Sequence, residues 1–262
     1  MKVGFIGGGN MGGALIGGLT QKCCAPSDIA LYEKDAQKAA AFKEMGINTV
    51  ESASAAEAAS EIIVFSVKPN IIDSVLSEMS GDKNKIYLSI AAGVTVAHLE
   101  EMLGADKKIV RAMPNTPAQV GCGMTVISPN KNVDDEDIKK VKMLLSAVGM
   151  VQQMDEKFMS VATALHGSSP AYVYMFIDAM ADAGVEYGLT KQQALTLAAQ
   201  AVAGSAEMVL SCGEHPEKLK DNVCSPGGTT IAAVCDLEKN GFRGIVQSAV
   251  CACVAKADEM SK

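Results

Sequence analysis

The sequence predicts two domains of different class: an α/β domain over residues 1–155, built on a mainly parallel, doubly wound sheet, and an all-α domain over residues 156–262. Three observations carry this. Short β-branched runs alternate with helical stretches up to about residue 155. The strand pattern then stops, and long helical periods fill the rest of the chain. A glycine-rich turn follows the first strand and opens the first helix. Strands separated by helices need crossover connections, and crossovers produce parallel sheets with helices on both faces.

In chain order, the strands are KVGFIG (2–7), DIALYE (28–33), INTV (47–50), EIIVFSV (61–67), KIYLSIA (85–91), KKIVRAM (107–113), GMTVISP (123–129) and GMVQQM (149–154). MGGALIGGLTQK, DAQKAAAFKEMG and SAAEAAS are the helix-like stretches between the early strands. In the second half SPAYVYMFIDAMADAGVEYGL, TKQQALTLAAQAVAGSAEMVL, TTIAAVCDLEKNG and FRGIVQSAVCACVAKADEM are helical by period. Gly184 and Gly188 are read as the end of the first of these, and Thr190 as the N-cap of the second. These helices are apolar over more than one face, more than a single small bundle hides, so the domain is expected to pair with a second copy.

Composition narrows the partners. A length of 262 residues suits two domains, and 48% hydrophobic residues supply a sizeable core. The net charge of -7 argues against nucleic acid and anionic membrane. No stretch reads as a transmembrane helix, and MKVGFIGGG reads as a first strand rather than a signal peptide. The eight cysteines lack a paired spacing and the three histidines are scattered. Reduced thiols, a cytoplasmic location and no metal site follow as expectations.

Gly7-Gly8-Gly9-Asn10-Met11-Gly12 holds G-x-G-x-x-G between a strand and a helix. Gly7 makes the tight turn, Gly9 lets a pyrophosphate approach the backbone, and Gly12 lets helix pack on strand; Asn10 and Met11 complete the loop. The helix start offers N–H groups and partial positive charge to the phosphates. This is the dinucleotide loop of a Rossmann-like domain. The second strand ends at Glu33-Lys34. An acidic residue there takes the ribose hydroxyls and disfavours a 2′-phosphate. At ~5 Å and an effective dielectric of ~20 the repulsion is roughly 3 kcal/mol, less under screening. Lys34 offsets part of it, so NADH is favoured while NADPH stays admissible. Three further loops lie at strand C-terminal ends: Val67-Lys68-Pro69, Ser89 to Gly93 with Ala91 and Ala92, and Arg111 to Pro117 with Asn115. Ligands bind at that edge in open α/β sheets, so the three are expected to wall a nicotinamide cleft. Lys68 fits either a cofactor contact or a solvated loop charge.

NVCSPGGTTIAAV (222–234) breaks the helical run with a proline, two glycines and two threonines. Gly227 and Gly228 expose backbone N–H groups at a helix start, a carboxylate cradle, while Thr229 and Thr230 bring hydroxyls that donate or accept. On residue physics alone plain N-capping is the favoured account of the threonines.

FIGGGNMGGALIGGL, VKP, SIAAGV, RAMPNTP, GSSPAYVYMFIDAMADAGVEYGL and VCSPGGTTIAAV together resemble the pyrroline-5-carboxylate reductases, in that family's order and over nearly the whole chain. The resemblance implies reduction of a small cyclic imine, Δ1-pyrroline-5-carboxylate, to L-proline with NADH or NADPH, the last step of proline synthesis. It implies a Rossmann domain followed by a helical domain that interlocks with a partner's, giving a dimer and often a ring of dimers. It places Thr230 at the imine nitrogen, and Asn222, Ser225, Gly227, Gly228 and Thr229 around the substrate. His166 departs from the pattern, since members often carry Ser or Ala there, and is read as tolerated variation. Two rivals are weaker. A β-hydroxyacid dehydrogenase resembles its relatives in a catalytic Lys early in the helical domain, and SSPAYVYMFIDAMADAG has none. A nucleotide-sensing module has no reason to keep SPGGTT.

Overall fold

The structure, a computed structural model, describes residues 1–260. It divides into two compact units, Met1–Ser168 with the C-terminal segment from Val254, and Ser169–Cys253.

All eight predicted strands form. They are β1 (Val3–Ile6), β2 (Ile29–Tyr32), β3 (Asn48–Thr49), β4 (Ile62–Phe65), β5 (Ile86–Ser89), β6 (Lys108–Pro114), β7 (Gly123–Pro129) and β8 (Gly149–Gln153). Their order is β3-β2-β1-β4-β5-β6-β7-β8, parallel throughout except for the β6–β7 pair. The order reverses between β1 and β4, the switch point beside which ligands bind. The helices of this unit are α1 (Asn10–Lys22), α2 (Ala36–Glu44), α3 (Ala53–Ala58), α4 (Pro69–Leu76), α5 (Val96–Leu103), α6 (Asp135–Leu145) and α7 (Met159–Ala162).

Neighbouring residues of one strand feed opposite faces of the sheet. Phe5, Val64 and Leu88 pack with Leu15, Ile16 and Leu19 of α1 and with Val141, Leu144 and Leu145 of α6. Ile6, Phe65 and Tyr87 pack with Ala53 and Ala56 of α3, Ile72, Val75 and Leu76 of α4, and Leu99 of α5. Both faces are covered, which is why these strands read as unbroken apolar runs rather than alternating ones. Glu57 of α3 is buried at this second face and accepts from the Tyr87 hydroxyl at 2.5 Å and from the Ser80 and Gly81 amides at 2.8 and 3.1 Å. Burial pushes the Glu57 carboxyl up, but these donors together hold it below its ordinary range; burial and the same carboxylate push the Tyr87 phenol up.

The second unit contains α8 (Ser169–Glu186), α9 (Lys191–Cys212), α10 (Pro216–Asn222), α11 (Thr229–Lys239) and most of α12 (Phe242–Met260). Thr190 caps α9 with a reciprocal capping box to Gln193. Gly188, at φ 94°, takes the left-handed position after α8. Gly184 does not end the helix as the sequence suggested. It lies within α8, and a Cβ there would stand 2.9 Å from the Ala194 Cβ of α9, so it is a close-packing residue. The α8–α9 hairpin buries Ala181, Ala194 and Ala198 and is bolted by Lys191 to Asp178 and Asp182 at 2.6 and 2.5 Å. Tyr174, Met175, Phe176, Leu197 and Leu210 are left exposed on the single chain. By length and composition α9 is apolar enough to cross a membrane, a test that the core helix of a water-soluble protein also passes.

Candidate active site

The glycine loop folds as its spacing demands. Gly7 has φ 99°, and its N–H donates to the Tyr32 carbonyl at 2.8 Å. A Cβ on Gly12 would lie 2.6 Å from the Gly7 carbonyl oxygen and 2.8 Å from Ser66 Oγ, so only glycine lets α1 start this close to β4. A Cβ on Gly9 would meet nothing within 4 Å. Gly9 is the N-cap of α1, no side chain caps the helix, and its first turn carries no acid. Asn10 and Met11 are the first two residues of that helix. Open space over uncapped N–H groups at a helix start is the setting an anionic pyrophosphate requires, so these residues fit a dinucleotide.

Glu33 is held at the end of β2. Its carboxylate accepts from Gly8 N at 2.6 Å and from Asp35 N at 2.9 Å, a fixed negative charge beside the loop. Gly7, Gly9, Glu33, Lys34, Val67 and Lys68 together line one cavity of about 240 Å³. Pro69 is the first residue of α4, with Lys68 as its N-cap. Pro69 and Ala92 line a neighbouring cavity of about 350 Å³, over which His98 Nε2 meets Asp73 Oδ1 at 2.7 Å. Ala91 is buried, and its N–H donates to Ser89 Oγ at 3.3 Å. Asn115 is buried too. Its Nδ2 donates to the His166 carbonyl at 2.9 Å and its Oδ1 accepts from Met124 N at 2.8 Å. Its amide is thus committed to the protein and braces the loop after β6.

In the second unit, α10 ends at Asn222 and the chain turns through Ser225 to Gly228, closed by Gly228 N donating to the Ser225 carbonyl at 3.0 Å. Gly227 has φ 68°, which a side chain would resist. A Cβ on Gly228 would collide with Ser225 Oγ. Gly228 is the N-cap of α11; it supplies no side-chain cap, and the first turn carries no acid. Thr229 and Thr230 are the first two helical residues and are exposed, so neither hydroxyl is spent on N-capping. The turn is clamped from both sides. Glu217 of α10 accepts from Lys220 Nζ at 2.6 Å and from Arg243 Nη2 of α12, while Arg243 Nε donates to Glu238 of α11 at 2.8 Å. Lys220 first, then Arg243, pull the Glu217 carboxyl down to about 2.

Residues 156–260 match a family model described as pyrroline-5-carboxylate reductase dimerisation, and residues 2–93 match one described as NADP oxidoreductase, coenzyme F420-dependent. A pyrroline-5-carboxylate reductase of Escherichia coli (strain K12) is 49% identical over 100% of this chain and 98% of its own. The chain belongs to the pyrroline-5-carboxylate reductase family. Two solved members of the family share its whole course. The Coxiella burnetii reductase is 35% identical with a TM-score of 0.94, and the Plasmodium falciparum reductase, solved with NADP bound, is 38% identical with a TM-score of 0.89. Each covers 100% of this chain, and this chain covers 98% of each.

Within this reductase fold, sequence reasoning missed the residues that hold the site's loops. Ser66 Oγ donates to the Gly7 carbonyl at 2.7 Å and locks the glycine turn. Arg111, buried in β6, pairs with Glu156 at 2.8 Å, and the same carboxylate oxygen accepts from Val96 N at 2.9 Å, tying the start of α5 to the strand beneath. A signal existed for both. Ser66 is the one polar residue in the stretch IIVFSV (62–67), and Arg111 is the one charge in the stretch IVRAM (109–113), inside a strand that must be buried. A buried charge needs a partner, though its position does not say which.

Proposed function

We propose that this chain reduces Δ1-pyrroline-5-carboxylate to L-proline with reduced nicotinamide dinucleotide, residues 1–155 binding the cofactor and residues 156–262 binding substrate and a second copy. The observation that carries the reading is the Ser225–Thr230 turn: an uncapped helix start with two uncommitted hydroxyls, in a chain that also carries a dinucleotide loop. The uncapped N–H groups at the start of α11 hold the substrate carboxylate, aided by the partial positive charge of the helix. The Thr230 hydroxyl accepts a hydrogen bond from the ring nitrogen and fixes the imine plane. Thr229, Ser225 and Asn222 shape the rest of the pocket. The bound cofactor supplies a hydride to the imine carbon. A protonated imine plus hydride is a secondary amine, so Thr230 need only hold the nitrogen's proton in place, not release one of its own.

At the other end Glu33, fixed by two backbone amides, accepts from the ribose hydroxyls and repels a 2′-phosphate, which supports NADH over NADPH. Lys34 is exposed and offsets only part of that charge. The apolar residues left open on α8 and α9 support burial against a second copy, as a dimer and then a ring of dimers, rather than against a membrane or nucleic acid. A cytoplasmic enzyme is consistent with eight free thiols. The test is spectrophotometric: purified protein, pyrroline-5-carboxylate, and NADH or NADPH side by side. Oxidation of the nicotinamide with proline formed in equal amount supports the reading. Protein that binds cofactor yet oxidises neither overturns it.

A further inference from the structure

His166 is used by nothing in the reaction as derived, and its surroundings are unusual. It lies in the π-helical turn Thr163–Gly167, a widened segment after α7 of the kind that recurs at functional sites. Its carbonyl is held by Asn115 Nδ2 at 2.9 Å, which pins it against the loop that follows β6. The adjacent Gly167 lies against Met113 at the end of that strand, where a Cβ would stand 3.2 Å from the Met113 methyl. Both imidazole nitrogens are shielded from solvent, and neither has a protein hydrogen-bond partner. A buried polar atom without a partner is costly, and a group that arrives with a ligand can relieve it.

The fold indicates which ligand group arrives there. The glycine loop fixes the pyrophosphate at the β1 edge, and Glu33 at the end of β2 fixes the adenosine side. The other half of a dinucleotide then runs across the switch point, over the ends of β4, β5 and β6. His166 is tethered at the last of these. We propose that the imidazole of His166 hydrogen-bonds the carboxamide of the bound nicotinamide ring, making it a further cofactor-positioning residue. Burial lowers the pKa of the ring, so at neutral pH it is uncharged, with one N–H donor and one lone pair. A carboxamide presents the complementary pair, a carbonyl oxygen and an amide N–H.

This rests on the reductase reading only in requiring a nicotinamide cofactor, and binding measurements test it apart from turnover. NADH and ADP-ribose, which lacks the nicotinamide ring, are titrated calorimetrically into wild type, His166→Ala and His166→Asn. The expected result is a loss of about 3- to 10-fold in NADH affinity for His166→Ala, with ADP-ribose unchanged and part of the loss restored by His166→Asn. The ligand-free melting temperature of His166→Leu should not fall, because an unpaired polar group has been removed. Equal weakening of NADH and ADP-ribose, or no weakening of NADH, overturns the assignment. Wild type that binds NADH but forms no proline removes the reductase reading, while the affinity ratio still decides the role of His166.

Discussion

The molecule builds the same device twice, at Gly7–Gly12 and at Ser225–Thr230, and finishes it differently. Both are glycine turns with positive φ leading into a helix whose start no side chain caps. In the first, Gly7 and Gly12 are hemmed in by Ser66 and by each other, so the loop has one shape before any ligand arrives. In the second, a Cβ on Gly228 would meet Ser225 Oγ but one on Gly227 would meet nothing within 4 Å, and Thr229 and Thr230 stand exposed. The first turn is a preformed anion site. The second is held mainly by its clamp, Glu217 with Lys220 and Arg243. Preorganisation belongs to the turn with the dinucleotide pattern, and openness to the turn on which the proposed reaction rests.

The largest expected effect falls on the open turn. Thr230→Ala should lower kcat by about 100-fold or more, the scale of a positioned hydrogen-bonding group in the reacting pair, while NADH affinity stays as in wild type. Steady-state kinetics with a separate NADH titration measure both. Near-normal turnover would remove Thr230 from the mechanism.

The rigid half should respond to glycine substitution in two distinct ways. Gly12→Ala drives a methyl into the Gly7 carbonyl and Ser66, and should cost about 1–3 kcal/mol of unfolding free energy, as over-packing typically does. Gly9→Ala has room and should melt within about 1 kcal/mol of wild type, yet lose about tenfold or more in NADH affinity, because its methyl occupies the phosphate's approach. Denaturant melts and cofactor titrations on both variants separate the two roles. The same response from both would show that the loop is not preformed. A charge at the same loop gives a smaller effect. Glu33→Ser should raise the NADPH-to-NADH ratio of kcat/KM by about tenfold, less than full Coulomb repulsion because solvent reaches the rim. An unchanged ratio would place the ribose away from Glu33.

Much of this contrast was legible in the sequence, and the limits have physical causes. The strands were visible because both faces of the sheet are covered, so Ile62–Phe65 and Ile86–Leu88 are buried and apolar without a break. The glycine loop was visible because its three positions have three separate steric duties. Gly184 was misread because a glycine that ends a helix and one that admits a neighbouring helix look alike along the chain. Only the Ala194 contact tells them apart. The braces were hidden for a related reason. Arg111 and Glu156 are 45 residues apart, and what brings them together is the sheet order β6-β7-β8, with Glu156 just past the end of β8. The threonines stayed ambiguous because capping and catalysis ask for the same hydroxyl. Helix register removes only the capping reading, since Gly228 and not a threonine occupies the N-cap.

The smallest effect probes the clamp that holds the open turn. The Glu217 carboxyl lies near 2 rather than its ordinary 4.5, because Lys220 and Arg243 stabilise its charged form. A depressed carboxyl stabilises the fold fully above its unfolded value, and the benefit disappears as pH falls through the folded one. Wild type should therefore melt slightly above Glu217→Gln from neutral pH down to about 4.5, and the two should converge below that. The pairs are exposed, so the gap should also narrow with added salt. Substrate KM should rise in the variant while the Kd for NADH holds, because α10 and α11 flank the substrate turn and the dinucleotide loop lies in the other unit. A gap that persists at low pH would mean that Glu217 acts through its shape. A change in NADH affinity without one in KM would mean that the clamp does not serve the turn.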